Sequence, residues 1–476
     1  MCKRRPKLKQ YLYVSRCLRI MFEILLNFKQ DIDKENANES KRLLASNYEV
    51  GFQGFTYTQK YIKELSVIFG CIGPFWLHHS FQKIFRRLTI GVALFQTTFP
   101  KSLVVCRNKK SRGMKYAKAS VSGKILRLLN VGDSKFHSFY VNFQYRRSCV
   151  KSVAKIVDVE NLFQICVEKP FVKVNEYKRK KQLRFRYIFN RYKIDDRKDI
   201  LLHVHGGCFI KSSPDAHEIY LRDWTQKLSN VPIVALDYSK SKFPAGLQDV
   251  LDFYLWLTTS DQVESVLGYK PEKVIVSGDS AGANLAVALC LILTDITKLK
   301  SSVSINFPAG IVGVYGVFKV LPVMSPSRLL SGIDPVLYQT VNLSGLYYYS
   351  GINEEQKIEE LKNNKKQWFQ KTDDEVKEIF NKVTNILEHP YATPLYYNFF
   401  DDVPKIPLSL ISCQFCPLLD DSIELANTWK GPVNLQVLNS LPHGFLNFTL
   451  ISNEAMIASD KCVNQVEQLL NLDHNL

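Results

Sequence analysis

The sequence predicts an α/β fold, a sheet with flanking helices, preceded by a mostly helical N-terminal region. From about residue 200, short apolar and β-branched runs alternate with helix-forming stretches, which is the rhythm of α/β domains. The charge changes at the same point. Residues 1–200 hold 42 Lys and Arg against 15 Asp and Glu, a net charge of +27, whereas residues 201–476 hold 21 and 30, a net charge of −9. We therefore expect a helical domain at 1–165 and an α/β domain at 166–476.

The N-terminal domain is predicted from spacing and composition. Residues 1–30 place apolar side chains between basic ones, which indicates a basic amphipathic helix. From about 52 to 170, aromatic residues, Leu and Ile recur at mixed spacings with few acids, so we expect this part to be mostly helical. The early apolar run at 65–77 has 13 residues and includes two glycines and a proline, which is too short to span a bilayer.

The α/β domain is predicted to begin with a basic, alternating stretch at 173–197, typical of an exposed edge strand. The charged, helix-forming residues 351–388 look like an insertion. The remaining elements follow in order: strands at 200–204, 231–236, 274–276, 408–413 and 433–438, and helices at 215–228, 247–258, 421–430 and 455–471.

The stretch at 273–293 contains the predicted nucleophile. A β-branched run leads into Gly278-Asp279-Ser280-Ala281-Gly282 and then into an Ala/Leu-rich helix, which is the order of a nucleophile elbow. The glycines allow a tight turn that holds the Ser280 hydroxyl out at the carboxyl edge of the sheet. A serine hydroxyl needs a base to become a nucleophile, so the elbow predicts a histidine from elsewhere in the chain.

Two further motifs follow strands in the positions that such a nucleophile requires. His205-Gly206-Gly207-Cys208 follows the strand at 200–204, where the backbone amides of Gly206, Gly207 and Cys208, with that of Ala281, can bind an oxyanion. His443 follows the last strand, and its place after the serine matches the order Ser, Asp or Glu, His.

These motifs resemble the hormone-sensitive lipase family of α/β-hydrolases over about 200 to 470. The resemblance implies an α/β-hydrolase sheet and the hydrolysis of acylglycerols and sterol esters at lipid droplets. Thr89-Ile90-Gly91-Val92 is faintly similar to the helical N-terminal domain of the family. Further motifs carry the resemblance, in the family's order: Asp237-Tyr238-Ser239, Ser325-Pro326-Ser327-Arg328-Leu329-Leu330, Leu419-Asp420-Asp421-Ser422 and Leu441-Pro442-His443-Gly444-Phe445.

The chain departs from the family most seriously at the triad acid. Cys416 stands where the family has that aspartate. Asp420, about one helical turn further on, is our candidate substitute, and its alternative role is to cap the helix. Asp421 would point elsewhere around the same turn. Cys208 also replaces the third oxyanion glycine of the family, and residues 240–242 shorten the stretch after Asp237-Tyr238-Ser239.

We therefore expect a serine esterase or lipase acting on neutral lipid esters, with Ser280, His443 and Asp420 as the catalytic residues and no cofactor or metal. The alternative, favoured by Cys208 and Cys416, is a catalytically impaired protein that binds lipid or a partner at lipid droplets. The basic N-terminal part indicates a lipid droplet or membrane surface rather than nucleic acid, because the sequence has no nucleic-acid motif. The 11 scattered cysteines are typical of reduced thiols, so we expect a cytoplasmic protein with peripheral lipid association.

Overall fold

The computed structural model of the chain describes residues 150–471, apart from gaps at 168–171, 191–197, 230, 301, 322–324, 399–404 and 451 and most of 330–380. The predicted N-terminal helices before residue 150 lie outside the described residues. The same holds for residues 352–380 of the predicted insertion.

An eight-stranded sheet forms the centre of the described part. Its spatial order is β1-β2-β4-β3-β5-β6-β7-β8. The pairs β1–β2 and β2–β4 are antiparallel, and the other pairs are parallel. The strands are β1 Val150–Val167, β2 Val172–Asn190, β3 Asp199–Val204, β4 Ile233–Asp237, β5 Lys273–Asp279, β6 Gly310–Val314, β7 Leu408–Cys413 and β8 Val433–Leu438.

Helices cover the sheet. They are α1 Pro214–Lys227, α2 Ala245–Thr259, α3 Gln262–Leu267, α4 Ala281–Leu299, the short α5 Pro326–Leu329, α6 Leu419–Thr428 and α7 Asn453–Asn471. Short 3₁₀ helices occur at Pro394–Tyr396 and Phe445–Phe448. Within the described residues, α4 alone has the length and apolar composition of a membrane span, but it is mostly buried against the sheet. It is the core helix behind the central strands.

The central strands β3, β6 and β7 are buried along their whole length. Strands covered by helices on both faces are near-continuous apolar runs, which is why the sequence predicts β3 and β7. The strand β6 was not among the predicted strands. The predicted strands 408–413 and 433–438 have the bounds predicted, and the four predicted helices end within two residues of the observed ones. The carboxyl ends of β3, β5, β7 and β8 meet at one edge of the sheet, where the predicted site residues follow them.

Two predictions about the first strands were wrong. Residues 150–165 were expected in the helical domain, but they form most of β1, so the sheet begins before residue 166. The alternation of buried Val157, Val159, Phe163 and Ile165 with more exposed residues is a strand period. The stretch at 173–197 was expected at the sheet edge, but β2 pairs with β1 on one side and β4 on the other, and β1 takes the edge.

Candidate active site

Ser280 lies at the turn between β5 and α4, in the strand–turn–helix order that the motif predicts. Its φ of 54° and ψ of −118° are a strained conformation for a residue with a side chain. A Cβ at Gly278 would lie 2.3 Å from the carbonyl carbon of Gly282, and a Cβ at Gly282 would lie 1.9 Å from the carbonyl oxygen of Val204. Only glycine fits at either position, so the tight turn depends on both.

The structure brings His443 to Ser280. The histidine follows β8, and its Nε2 lies 3.0 Å from the Ser280 Oγ. A buried carboxylate holds the histidine backbone: Asp334 Oδ2 accepts the His443 N–H at 2.5 Å, while its Oδ1 accepts the N–H groups of Val336 and Leu337. The predicted nucleophile and base are therefore within hydrogen-bond reach, which is the geometry that activates a serine.

The third position of the catalytic triad, beside His443, is taken by Cys416 and not by Asp420. The Cys416 Sγ lies 3.2 Å from the Nδ1 of His443, on the side of the ring that faces away from the serine. Asp420 does not serve His443 in this geometry, because its carboxylate accepts the N–H of Ser327 at 2.8 Å and the hydroxyl of Ser327 at 2.7 Å. Its position in the first turn of α6 directs it towards the start of the short helix α5. The prediction that Asp420 orients the histidine is corrected on this ground.

Asp421 also turns away from the histidine. Its carboxylate lies 3.0 Å from the Nη2 of Arg328 and accepts the N–H groups of Phe318 and Lys319 at 3.0 and 2.8 Å. The buried ion pair connects α6 to α5, and the two backbone hydrogen bonds connect α6 to the loop after β6. Both aspartates of the motif therefore support the local structure, while the cysteine that precedes them contacts the base.

Burial keeps both His443 and Cys416 uncharged. Burial lowers the pKa of His443 to about 4 and raises the pKa of the Cys416 thiol well above its usual range. Both groups are neutral near pH 7, and a neutral thiol stabilises an imidazolium far less than a carboxylate does. The N–H of Leu418 points at the Cys416 sulfur from 3.4 Å, so a backbone donor already faces this position.

The loop after β3 supplies amides for an oxyanion, with one correction. The Gly206 N–H donates to the Asp279 Oδ1 at 2.7 Å, so it is engaged within the protein and does not face a substrate. The amides of Gly207, Cys208 and Ala281 donate no hydrogen bond to any other described residue. Ala281 is the first residue of α4, where an N–H has no partner within the helix. These three amides remain the candidate oxyanion donors.

Cys208 fits the loop despite its added Cβ. Gly207 has a φ of 125°, and a Cβ there would lie 2.2 Å from the carbonyl oxygen of Lys211, so this position requires glycine. Cys208 has a φ of 53°, in the left-handed region. A Cβ at Gly345 would lie 2.9 Å from the Cys208 Cβ, so the missing side chain of Gly345 makes room for the cysteine. The substitution changes the loop surface but keeps a backbone amide in place.

Cys413 and Cys416 are separated by two residues, and their thiols have different partners. The Cys413 thiol contacts the carbonyl oxygen of Pro442 at 3.4 Å, whereas Cys416 contacts His443. The six described cysteines are free thiols. Within the described residues, no group of three or more His, Cys, Asp or Glu side chains is arranged to hold a metal ion.

The sequence did not single out Asp334 or the buried group around Asp279. Asp334 lies in a segment without a periodic pattern, so nothing in the sequence marks it. Asp279 is part of the elbow motif, but its partners His203 and His217 come from β3 and α1, and only the fold brings them together.

Comparison with known proteins agrees with this fold. A family model described as the alpha/beta hydrolase fold matches residues 201–447, which is more than half of the chain. The chain therefore belongs to the α/β-hydrolase fold family, and the predicted fold class is confirmed.

Within this family the chain is similar to hormone-sensitive lipases. It is 34% identical to the hormone-sensitive lipase of Mus musculus over 159 residues, which cover 33% of this chain and 20% of that protein. For the Homo sapiens lipase the identity is 32% over 161 residues, covering 33% and 14%. These matches confirm the predicted resemblance, although they span a fifth or less of those lipases.

Esterases are similar as well. An esterase of Acinetobacter venetianus is 32% identical over 106 residues, which cover 22% of this chain and 32% of that protein. The crystal structure of an esterase from Pyrobaculum calidifontis is similar with a TM-score of 0.48 and 20% identity, covering 66% of this chain and 85% of that one.

Proposed function

We propose that this protein is a serine ester hydrolase that acts on neutral lipid esters, such as acylglycerols and sterol esters. The observation that carries the proposal is the 3.0 Å contact between Ser280 Oγ and His443 Nε2. The contact is made at a strained elbow, beside three amides that donate to no other described residue. The similarity to hormone-sensitive lipases and esterases supports the reaction class and the choice of a lipid ester.

The reaction follows from this geometry. Ser280 Oγ attacks the acyl carbonyl carbon while its proton passes to His443 Nε2. The carbonyl oxygen becomes an oxyanion and accepts hydrogen bonds from the amides of Gly207, Cys208 and Ala281. When the tetrahedral intermediate collapses, His443 returns the proton to the leaving alcohol. Water then attacks the acyl-enzyme with His443 as general base, which releases the fatty acid and restores the serine.

The rate of this reaction is expected to be reduced by Cys416. A triad carboxylate holds the histidine in the correct tautomer and stabilises the imidazolium, and removing it can cost about 10⁴ in rate. The thiol can accept a hydrogen bond from Nδ1–H, which leaves Nε2 unprotonated and able to take the serine proton. It can also donate a hydrogen bond to an unprotonated Nδ1, which favours the unproductive tautomer with the proton on Nε2. A weak esterase is the expected result, because nucleophile, base and oxyanion donors can together sustain partial catalysis.

The second candidate function is a hydrolase-like protein that binds lipid or a partner at a droplet surface without turnover. Cys416 favours it, together with the burial that lowers the pKa of His443 to about 4. The retained contact between Ser280 and His443 argues against it, since binding alone does not require that geometry.

We also propose a cytoplasmic protein that associates with anionic lipid surfaces through its basic N-terminal part. The net charge of +27 in residues 1–200 supports this attachment. Part of that charge lies on β2, where Lys178, Arg179 and Lys180 are consecutive and exposed.

The test is hydrolysis of a short-chain p-nitrophenyl ester by the wild type and by Ser280→Ala. We expect the wild type to show slow turnover and the Ala variant to show none, because Ser280 forms the acyl-enzyme. Ser265→Ala is the matched control, since Ser265 is exposed on α3 and its hydroxyl donates to the carbonyl of Gln262 on the same helix. Equal rates for the wild type and Ser280→Ala would overturn the enzyme proposal.

A further inference from the structure

A buried group of ionisable side chains lies directly behind the elbow, and the reaction described above does not use it. At its centre is Asp279, the residue before the nucleophile. The Oδ1 of Asp279 accepts the Gly206 N–H at 2.7 Å and lies 3.1 Å from the Nε2 of His217 and 3.5 Å from the Nε2 of His203. All three side chains are almost fully buried. A buried carboxylate requires compensation of this kind.

Hydrogen-bond geometry defines the protonation state of His217. Its Nδ1 lies 3.0 Å from the carbonyl oxygen of Ser213, and its Nε2 lies 3.1 Å from the Asp279 carboxylate. Both partners only accept hydrogen bonds, so both ring nitrogens must carry a proton. His217 is therefore an imidazolium. Burial opposes this charge, but Asp279 outweighs it and raises the pKa of His217.

The neighbouring histidines are neutral. Burial lowers the pKa of His203, whose Nδ1 contacts the Ser277 hydroxyl at 2.9 Å and whose Nε2 contacts the Tyr220 hydroxyl at 3.0 Å. Burial also lowers the pKa of His205 well below its usual range. The group thus contains one cation and one anion. Burial would raise the pKa of Asp279, but the neighbouring histidines, led by His217, hold it well below its usual range.

The ion pair of His217 and Asp279 holds the start of the loop after β3 through the Gly206 N–H. Further hydrogen bonds hold the carbonyl groups of the same loop. The Gly206 carbonyl accepts the Nδ1–H of His205 at 2.7 Å, and the His205 carbonyl accepts the Tyr238 hydroxyl at 2.9 Å. The ring of His205 stacks on Tyr238 at 4.3 Å. Both peptide groups before Gly207 are therefore fixed in orientation. The next two amides, of Gly207 and Cys208, are the candidate oxyanion donors.

We infer that His217 and Asp279 are positioning residues: their buried ion pair holds the Gly206 amide so that the Gly207 and Cys208 amides face the substrate oxyanion. This inference rests on the proposed ester hydrolysis. Without the imidazolium, the carboxylate loses its counter-charge and the loop loses its anchor. A displacement of about 1 Å in such a site can cost about 10² in rate, and the loss of one oxyanion donor costs about 10² to 10³.

The inference also predicts a pH dependence. The ionisable groups that face His217 are Asp279, His203 and His205 across the cluster, Tyr220 on its own helix, and Lys240 from the loop after β4. Because the pKa of His217 is raised in the folded protein, the stabilisation from its ion pair with Asp279 is fully present below pH 6.5, the ordinary pKa of histidine. That contribution is lost as the pH rises through the folded pKa. The kcat should therefore fall on the alkaline side.

The experiment compares kcat, KM and the pH–rate profile of the wild type, His217→Gln and the control His389→Gln. His389 is half-buried, with its Nε2 enclosed by protein, and lies outside the cluster, where its Nδ1 accepts the N–H of Tyr391. We expect His217→Gln to lower kcat about 10²-fold at pH 7, to leave KM within about twofold, and to remove the alkaline limb. His389→Gln should keep the wild-type profile.

A second variant and a second readout keep the inference testable if His217→Gln folds poorly. Asp279→Asn retains an oxygen that can accept the Gly206 N–H but removes the charge, and it should also lower kcat and abolish the alkaline limb. Ring ¹⁵N NMR of histidine-labelled wild type should show His217 protonated on both nitrogens at pH 7.

The outcomes are distinguishable. Wild-type turnover with an unchanged kcat and profile in His217→Gln would overturn this inference alone, as would a neutral His217 in the NMR spectrum. An equal loss in His389→Gln would also overturn it, because the effect would then not be specific to the cluster around Asp279. Absence of wild-type turnover would overturn the proposed function itself.

Discussion

Replacing Cys416 by aspartate should convert a weak catalytic site into a stronger one. The Cys416 sulfur lies 3.2 Å from the Nδ1 of His443, and the Leu418 N–H already points at it. A carboxylate there would accept both hydrogens. It would hold the proton of His443 on Nδ1, leave Nε2 to take the Ser280 proton, and stabilise the imidazolium that forms in the reaction.

The expected gain can be bounded from the structure. A correctly placed carboxylate is worth up to about 10⁴ in kcat, or about 5.4 kcal/mol. The new charge would lie near the buried Asp334, whose own pKa burial raises to about 6, so like-charge repulsion would reduce the benefit. We expect Cys416→Asp to raise kcat about 10²- to 10³-fold, or about 2.7 to 4.1 kcal/mol.

The pH–rate profile gives a second, independent readout of the same change. The base must be neutral to act, and burial now lowers the pKa of His443 to about 4, so wild-type activity should rise with pH through about 4. A nearby carboxylate favours the charged imidazole, so in Cys416→Asp this acid limb should move to higher pH.

The assay is hydrolysis of a p-nitrophenyl ester from about pH 3 to pH 9, with thermal unfolding recorded for each protein. Cys416→Asn is the matched control, because it has a similar shape without the charge and should give neither the gain nor the shift. A folded Cys416→Asp protein with wild-type kcat and an unmoved acid limb would refute this account of the third triad position.

Two further predictions concern Asp420 and lipid attachment. Asp420→Asn should change kcat less than about threefold, because among the described residues its carboxylate bonds to Ser327 and not to His443. It should lower the melting temperature, because a hydrogen bond to a charged group contributes about 1.5 to 3 kcal/mol. A severe loss of kcat with an unchanged melting temperature would contradict this. Flotation with anionic liposomes should fall sharply from low salt to 1 M salt, where the Debye length is about 3 Å. A triple variant with Gln at Lys178, Arg179 and Lys180 should float less than the wild type at low salt. Equal binding at both salt concentrations would rule out electrostatic attachment.

The sequence predicted the elbow and the base because both depend on local signals. Gly278 and Gly282 mark a turn that only glycine permits, and His443 is identified by its position after the last strand. The central strands β3 and β7 were also predictable, since burial on both faces makes them apolar throughout. The central strand β6 was not predicted, because its short sequence Gly-Ile-Val-Gly-Val includes two glycines. These features need no knowledge of long-range contacts.

The residues that could not be predicted depend on contacts across the fold. Asp420 and Cys416 lie four positions apart, and only the start of α6 decides which of them faces His443. The engagement of the Gly206 amide by Asp279 likewise requires β3 and β5 to be placed side by side. In β1 the alternating pattern was visible at 157–165, but few turn residues separate it from the basic stretch that follows.

We expect Ser280 to be an activated nucleophile. Labelling with a fluorophosphonate probe tests this most directly, because the probe reacts with a serine whose proton a neighbouring base can accept and whose site stabilises the developing oxyanion. We expect the wild type to be labelled at Ser280, Ser280→Ala to remain unlabelled, and Cys416→Asp to be labelled faster than the wild type. A folded wild-type protein that takes up no label at Ser280 would show that this serine is not activated.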